Sequence, residues 1–152
     1  MATVIDLIGN TPLVELQHLI QKPGVTVYGK LEGQNPGGSV KDRAAYGMIK
    51  GALDRGELPT DGSVRLVEAT SGNTGIALAM IARLFGIPIT LIMPDNATEE
   101  RVGAMRAYGA EVILTPAKRT IEYSREYAEA LAAGDDHFML NQFANIDNWG
   151  MH

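Results

Sequence analysis

The feature that most constrains this chain is a regular alternation of short apolar runs with longer amphipathic runs. Short β-branched or apolar runs predict strands, and longer runs with apolar residues three or four apart predict helices. The pattern predicts four strand–helix pairs and a last strand, with strands at 25–32, 65–68, 88–93, 111–114 and 137–140 and helices at 40–55, 76–86, 98–108 and 120–132. Strands joined through helices pair in parallel. We therefore expect an α/β fold, a parallel twisted sheet with helices on both faces.

Composition and charge exclude several classes of function. The net charge is −5 and no block of like charge occurs, which argues against nucleic acid or an anionic membrane as a partner. No apolar run could span a bilayer, and Asp6 and Pro12 interrupt the first residues, unlike a signal peptide. The chain has no cysteine, and its 3 histidines are scattered without the spacing of metal ligands. We expect a cytoplasmic protein without a metal.

A glycine-rich loop leads into the first long helix and carries a lysine where a helix disfavours one. In residues 35–43, Asn-Pro-Gly-Gly-Ser-Val-Lys-Asp-Arg, Ser39 and Asp42 have the spacing of a capping box with Asp replacing Glu. Lys41 falls in the first turn, where the helix dipole and burial beside the glycines would lower its pKa. A partly deprotonated amine can form a Schiff base with a carbonyl. The alternative is an ordinary surface lysine.

A second loop, rich in hydroxyl groups, follows the strand at 65–68 and opens the next helix. Its sequence is Thr70-Ser71-Gly72-Asn73-Thr74-Gly75. Free N–H groups at a helix start, with these side-chain donors, would bind a carboxylate or a phosphate. A well-capped helix start has a similar composition, so a purely structural cap is the alternative. No nucleotide-binding glycine fingerprint occurs.

The two loops are expected to form one site. Ligands of parallel sheets bind at the carboxyl ends of strands, and each loop follows a predicted strand. An anion site beside an activated lysine suggests amino-acid chemistry on an aldehyde cofactor.

Three segments together resemble a known family. Residues 8–14 (Ile-Gly-Asn-Thr-Pro-Leu-Val), 35–43 and 70–75 have the order and spacing of the cysteine synthases, or O-acetylserine sulfhydrylases. These are pyridoxal-phosphate enzymes of the tryptophan synthase β-subunit type, fold type II. Residues 68–70, 93–96 and 104–111 look more like the B-type than the A-type enzymes. The resemblance runs along the whole chain but covers only the N-terminal half of the family's sequence.

The resemblance implies a cofactor, a reaction and a set of site residues. The cofactor would be pyridoxal 5'-phosphate, with Lys41 as its Schiff-base lysine and as the base and acid of the reaction. Asn73 would bond the cofactor's ring hydroxyl. The substrate carboxylate would be held by Thr70, Ser71, Gly72, Thr74 and Gln142. O-Acetyl-L-serine would exchange its acetate for sulfide to give L-cysteine, or for thiosulfate to give S-sulfocysteine. The resemblance also implies that the full-length protein would be a homodimer.

The resemblance also implies a domain division and leaves alternatives open. Residues 1–35 would begin the large domain, 36–143 would form the small mobile domain, and 144–152 would return to the large one. The absent half would carry the phosphate loop and the serine facing the pyridine nitrogen, so apolar faces meant for it would be exposed. Cystathionine β-synthases and serine/threonine dehydratases share these motifs. An inactive interaction module and a cofactor-free anion-binding protein are the remaining alternatives.

Overall fold

The computed structural model describes residues 1–20 and 22–152, and a four-stranded parallel sheet forms its centre. The strands are β1 (Leu13–Glu15), β2 (Tyr28–Lys30), β3 (Arg65–Ala69), β4 (Ile89–Pro94), β5 (Glu111–Thr115) and β6 (His137–Met139). The helices are α1 (Lys41–Asp54), α2 (Asn73–Phe85), α3 (Glu99–Ala107), α4 (Thr120–Ala132) and α5 (Ile146–Gly150). The central sheet has the order β5-β4-β3-β6, and all three pairings are parallel. The predicted α/β class is confirmed.

Helices cover both faces of this sheet, as the sequence predicts. Leu66, Leu91 and Met93 belong to one buried apolar cluster with residues of α1, α2 and α3. Val67 and Ile92 belong to a second cluster with residues of α4. Neighbouring residues of a strand therefore pack on opposite faces of the sheet. Because both faces are buried, the strands are apolar along nearly their whole length.

Glycines end two of the helices where the sequence places their ends. Gly56 and Gly86 follow α1 and α2 with φ angles of 70° each, a left-handed conformation that glycine adopts at little cost. The apolar face predicted for α1 is also confirmed: its alanines, Met48 and Ile49 are buried. Periodicity and helix stops thus predict these elements well.

The predicted strand at 25–32 is wrong in length and in its partner. Only Tyr28–Lys30 is extended, and it pairs antiparallel with β1 in a separate two-stranded sheet, with Leu13 opposite Lys30. Tyr28 and Leu13 are exposed, so neither strand is apolar on both faces, as a strand inside the parallel sheet would be. The short helix α5 was not predicted from the sequence. None of the helices in the described ranges is both long and apolar enough to cross a bilayer.

Candidate active site

A network of polar groups fixes the start of α1 to the segment before it. Arg43 donates from Nε to Glu32 Oε2 and from Nη2 to Glu32 Oε1, each at 2.9 Å, in a two-pronged ion pair. Hydrogen bonds, first from Arg43 and then from Thr11 and Asn35, lower the pKa of Glu32 to about 2 against the opposing effect of burial. Asn35 Oδ1 accepts from the backbone N–H of Gly9 at 2.8 Å. Gly9, Glu32 and Asn35 are therefore tied to the first turn of α1.

The loop before Lys41 is closed by Asp42, but not as the predicted capping box. Ser39 Oγ accepts from the N–H of Lys41 at 3.1 Å, and the buried Asp42 accepts from the N–H of Gly37 at 2.5 Å. The box fails because the Asp42 carboxylate accepts from the N–H of Gly37, before the helix, and not from the N–H of Ser39. A Cβ on Gly37 would lie 2.5 Å from Asp42 Oδ1. Burial raises the pKa of Asp42.

Lys41 is the first residue of α1, and its side chain is exposed. The burial expected for it is wrong, because the buried positions of α1 begin only at the next residue, Asp42. Its amine forms no ion pair with any other described residue. An exposed primary amine is therefore available at the start of this helix.

The turn at 70–75 joins the carboxyl end of β3 to α2, and no side chain caps that helix. Among the described residues no side-chain cap accounts for the composition of this turn, and the N–H groups of Asn73 and Thr74 have no partner within the helix. Thr70, Thr74 and Gly75 are buried, Ser71 and Gly72 are half-buried, and Asn73 is exposed. A Cβ on Gly72 would meet nothing within 4 Å, so the turn borders open space.

Gln142 is brought to this turn from the other end of the chain. Its side-chain Nε2 donates to the carbonyl oxygen of Ala69 at 3.2 Å, directly before Thr70. Asn148 Nδ2 donates to the backbone oxygen of Gln142 at 2.6 Å. The side chain of Gln142 therefore lies at the beginning of the 70–75 turn.

The helix that begins with Lys41 is placed beside the turn's helix in a different way from the one predicted. The strand before its loop, β2, is outside the parallel sheet, so the two loops do not lie at carboxyl ends of strands in one sheet. Instead, α1 and α2 pack against each other. No hydrogen bond or ion pair within residues 1–20 and 22–152 joins Lys41 to residues 70–75.

Glu68 is a functional candidate that was not predicted from the sequence, where it contributed only to the likeness to the B-type enzymes. Glu68 lies inside β3 and is 1% exposed, and its Oε2 accepts from the N–H of Asn141 at 2.9 Å. Burial raises its pKa to about 7, although backbone N–H groups and the charge of Arg125 oppose the rise. A carboxylate within an apolar strand is a sequence signal for a special role. The role itself could not be predicted, because the partner of Glu68 lies 73 residues away in the sequence.

Comparison with known proteins agrees with the resemblance. Residues 4–152 match the family described as pyridoxal-phosphate dependent enzyme. Cysteine synthase B of Salmonella typhimurium is 54% identical over 148 residues, which are 97% of this chain and 48% of that protein. Cysteine synthase B of Pseudomonas aeruginosa is 52% identical over 151 residues, 99% of this chain and 50% of that protein. The chain thus spans about half the length of these relatives.

A solved structure gives the same result for the fold. The cysteine synthase of Entamoeba histolytica superposes with a TM-score of 0.92 at 37% identity and covers 100% of this chain and 46% of its own. The likeness extends to every described element of the chain. The predicted fold class and the predicted resemblance to cysteine synthases of the B-type are therefore confirmed.

Proposed function

The chain belongs to the pyridoxal-phosphate dependent enzymes, and from this premise we propose that it carries the substrate-binding half of a cysteine synthase. The reaction converts O-acetyl-L-serine and sulfide into L-cysteine and acetate, and thiosulfate in place of sulfide gives S-sulfocysteine. The observation that carries the proposal is an exposed amine at the start of α1 together with the uncapped start of α2 beside Gln142.

The described residues fit the reactive side of pyridoxal 5'-phosphate. Lys41 offers the exposed primary amine that an aldehyde requires. Asn73 is exposed at the first position of α2, where its amide can donate to a ring hydroxyl. When bound, the cofactor supplies an electron sink for the charge left by loss of the substrate's α-proton. We propose that the groups that contact the cofactor's phosphate and pyridine nitrogen belong to the half of the relatives' length that this chain does not span.

The turn at 70–75 is assigned to the substrate carboxylate. Unpartnered N–H groups and the helix dipole favour an anion at the start of α2. The hydroxyls of Thr70, Ser71 and Thr74 add donors, and Gly72 leaves room for the ligand to approach. Gln142 uses one amide hydrogen for Ala69 and keeps the second for the carboxylate. Binding here orients the amino acid.

Lys41 Nζ is assigned the proton transfers. It removes the α-proton of the bound amino acid and returns it to the same carbon after sulfide has replaced acetate. One amine serves for both steps because the first leaves it protonated for the second.

The proposal includes a division of the chain and a place for the missing contacts. Residues 1–35 begin a large domain, 36–143 form the small domain and 144–152 return to the large one. The separate sheet formed by β1 and β2 supports this division. Several large apolar side chains are exposed, among them Leu13, Phe143 and Trp149. Their exposure supports the proposal that further polypeptide covers them in the whole protein. We also propose that the whole protein is a homodimer in the cytoplasm.

The test is a titration of the 152-residue chain with pyridoxal 5'-phosphate, followed by borohydride reduction and peptide mapping. We expect a new absorption band, label on Lys41, and a spectral shift on adding O-acetyl-L-serine. Lys41→Ala should abolish both band and label. Lys50→Ala is the matched control, because Lys50 lies on the same helix but pairs with Asp54, and it should change neither. Label scattered over surface lysines would contradict the assignment of Lys41.

The reaction itself is tested by product analysis after joining the chain to the remainder of its enzyme. L-Cysteine from O-acetyl-L-serine and sulfide is the expected product. Pyruvate without cysteine would indicate a dehydratase, and selectivity for larger thiols would indicate a cystathionine β-synthase.

A further inference from the structure

Glu68 is a fully buried carboxylate to which the proposed reaction gives no role. It is the fourth residue of β3 and is 1% exposed. Burying a carboxylate is costly unless hydrogen bonds or opposite charges compensate it. A leucine or valine would fill a parallel strand without that cost. Packing alone therefore does not account for a glutamate at this position.

The carboxylate holds a chain segment that the sheet itself does not hold. The pairing of β3 with β6 ends at Val67 and Met139. Just past that point, Glu68 Oε2 accepts from the N–H of Asn141 at 2.9 Å, and the N–H of Gln142 also stabilises the carboxylate. A side chain thus continues the connection where backbone pairing stops.

Asn141 has an unusual backbone conformation at this contact. Its φ angle is 55°, a left-handed conformation that only a small share of non-glycine residues adopt and that Asn tolerates best. Successive N–H groups converge on one point in such a turn and form a small anion cradle. Here the anion is supplied by the protein's own Glu68, which fixes the direction in which residue 142 leaves the sheet.

The segment is also held from its other side. Arg125 of α4 contributes positive charge near Glu68, and its guanidinium lies 5.0 Å from the ring centroid of Phe143. Gln142 stands between Asn141 and Phe143, and its side chain donates to Ala69 beside the substrate turn.

We propose that Glu68 is a positioning residue that sets the place of Gln142 and thereby the affinity for the substrate's carboxylate. The part concerning the carboxylate rests on the proposed function. The positioning of Gln142 rests only on the contacts of Glu68 and Asn141.

The first test measures amide hydrogen exchange in the 152-residue chain without ligand. Glu68→Met keeps the size of the side chain but removes the acceptor, and it should speed exchange at the Asn141 N–H by roughly tenfold or more. The N–H of Thr70, which donates to Ile92, should stay protected and reports that the sheet remains folded. Glu68→Gln retains an acceptor oxygen and should keep Asn141 protected. Glu129→Met, at an exposed position of α4, is the control.

The second test measures binding of O-acetyl-L-serine to the same variants, with the side-chain amide resonances of Gln142 as the spectroscopic signal. Glu68→Met should shift these resonances and weaken binding by roughly tenfold, whereas Glu68→Gln should stay within about twofold of the unaltered chain. Gln142→Ala should weaken binding as Glu68→Met does, and combining the two should add little.

Either of two results would overturn the proposal. One is unchanged exchange at Asn141 in a folded Glu68→Met chain. The other is a tenfold weakening of binding in Glu68→Gln while Asn141 stays protected, a result that decides the matter even if Glu68→Met does not fold. Failure of the proposed function has a different signature, because the unaltered chain would then not bind O-acetyl-L-serine while its Asn141 remained protected.

Discussion

Replacing Glu68 by Gln should change how the stability of the chain depends on pH. Burial raises the pKa of Glu68 from 4.5 to about 7. The folded state therefore holds this proton more tightly than the unfolded state does. The resulting stabilisation is fully present below pH 4.5 and is lost as pH rises from 4.5 to 7, because folding must then bury a charge. Each pKa unit corresponds to about 1.4 kcal/mol, so Glu68 should cost the chain about 2 to 3 kcal/mol between pH 5 and pH 8.

The assay is urea unfolding of the parent and of Glu68→Gln at both pH values. The amide cannot ionise but retains an acceptor for Asn141. Relative to the parent, the variant should therefore gain about 2 to 3 kcal/mol of unfolding free energy on going from pH 5 to pH 8. In thermal unfolding, the relative gain should be roughly 5 to 10 °C for a chain of this size.

Taking the difference between variant and parent at each pH cancels the titration of every other group. Glu129→Gln, at an exposed position, should give a difference that does not vary with pH. A pH-independent difference for Glu68→Gln as well would refute the reasoning, since Glu68 would then titrate alike in the folded and unfolded chain.

Four further predictions concern other positions. Arg43→Ala should lower the unfolding free energy at neutral pH by about 1 to 3 kcal/mol. Because the pKa of Glu32 is depressed, this loss should shrink as pH falls from 4.5 towards 2, and a constant loss would contradict the ion pair. Gly47→Ala should destabilise by about 1 to 3 kcal/mol in urea unfolding, since its Cβ would lie 2.5 Å from the Asp147 carbonyl oxygen. Gly103→Ala on α3, with open space at its Cβ, should instead stabilise by up to about 1 kcal/mol. Asn73→Ala should weaken pyridoxal-phosphate binding, measured by absorption, without altering the circular dichroism spectrum. An unfolded Asn73→Ala chain would assign the residue a structural role.

Elements that follow from short-range patterns were predictable from the sequence. The helix predicted at 120–132 is α4, Thr120–Ala132, because apolar spacing and flanking residues act within a few turns. The turn at 70–75 was found for the same reason. The capping box was wrong because the Asp42 carboxylate accepts from the N–H of Gly37, and the spacing of Ser39 and Asp42 does not determine which N–H the carboxylate meets.

Contacts between distant segments could not be predicted in this way. Glu32 and Arg43 are separated by 11 residues, and Glu68 and Asn141 by 73. No periodicity links such positions, since their proximity is a consequence of how the elements pack. The partner of β2 was missed for a related reason: short strands with exposed residues carry too weak an apolar pattern to specify which sheet they join.

The network around Glu32 gives a physical reason for the first of the three family segments, residues 8–14, to which no chemistry was assigned. Gly9 contributes an N–H to Asn35 and a carbonyl oxygen to Arg43, and Thr11 donates to Glu32. The segment therefore acts through Asn35 and Arg43, which bracket the Lys41 loop. Moving it would move the start of α1. This coupling crosses residue 35, the proposed boundary between domains, so any motion of the small domain must carry the Glu32–Arg43 ion pair with it or break it. We expect the former, because breaking a largely buried, two-pronged pair costs more than displacing the exposed hairpin of β1 and β2.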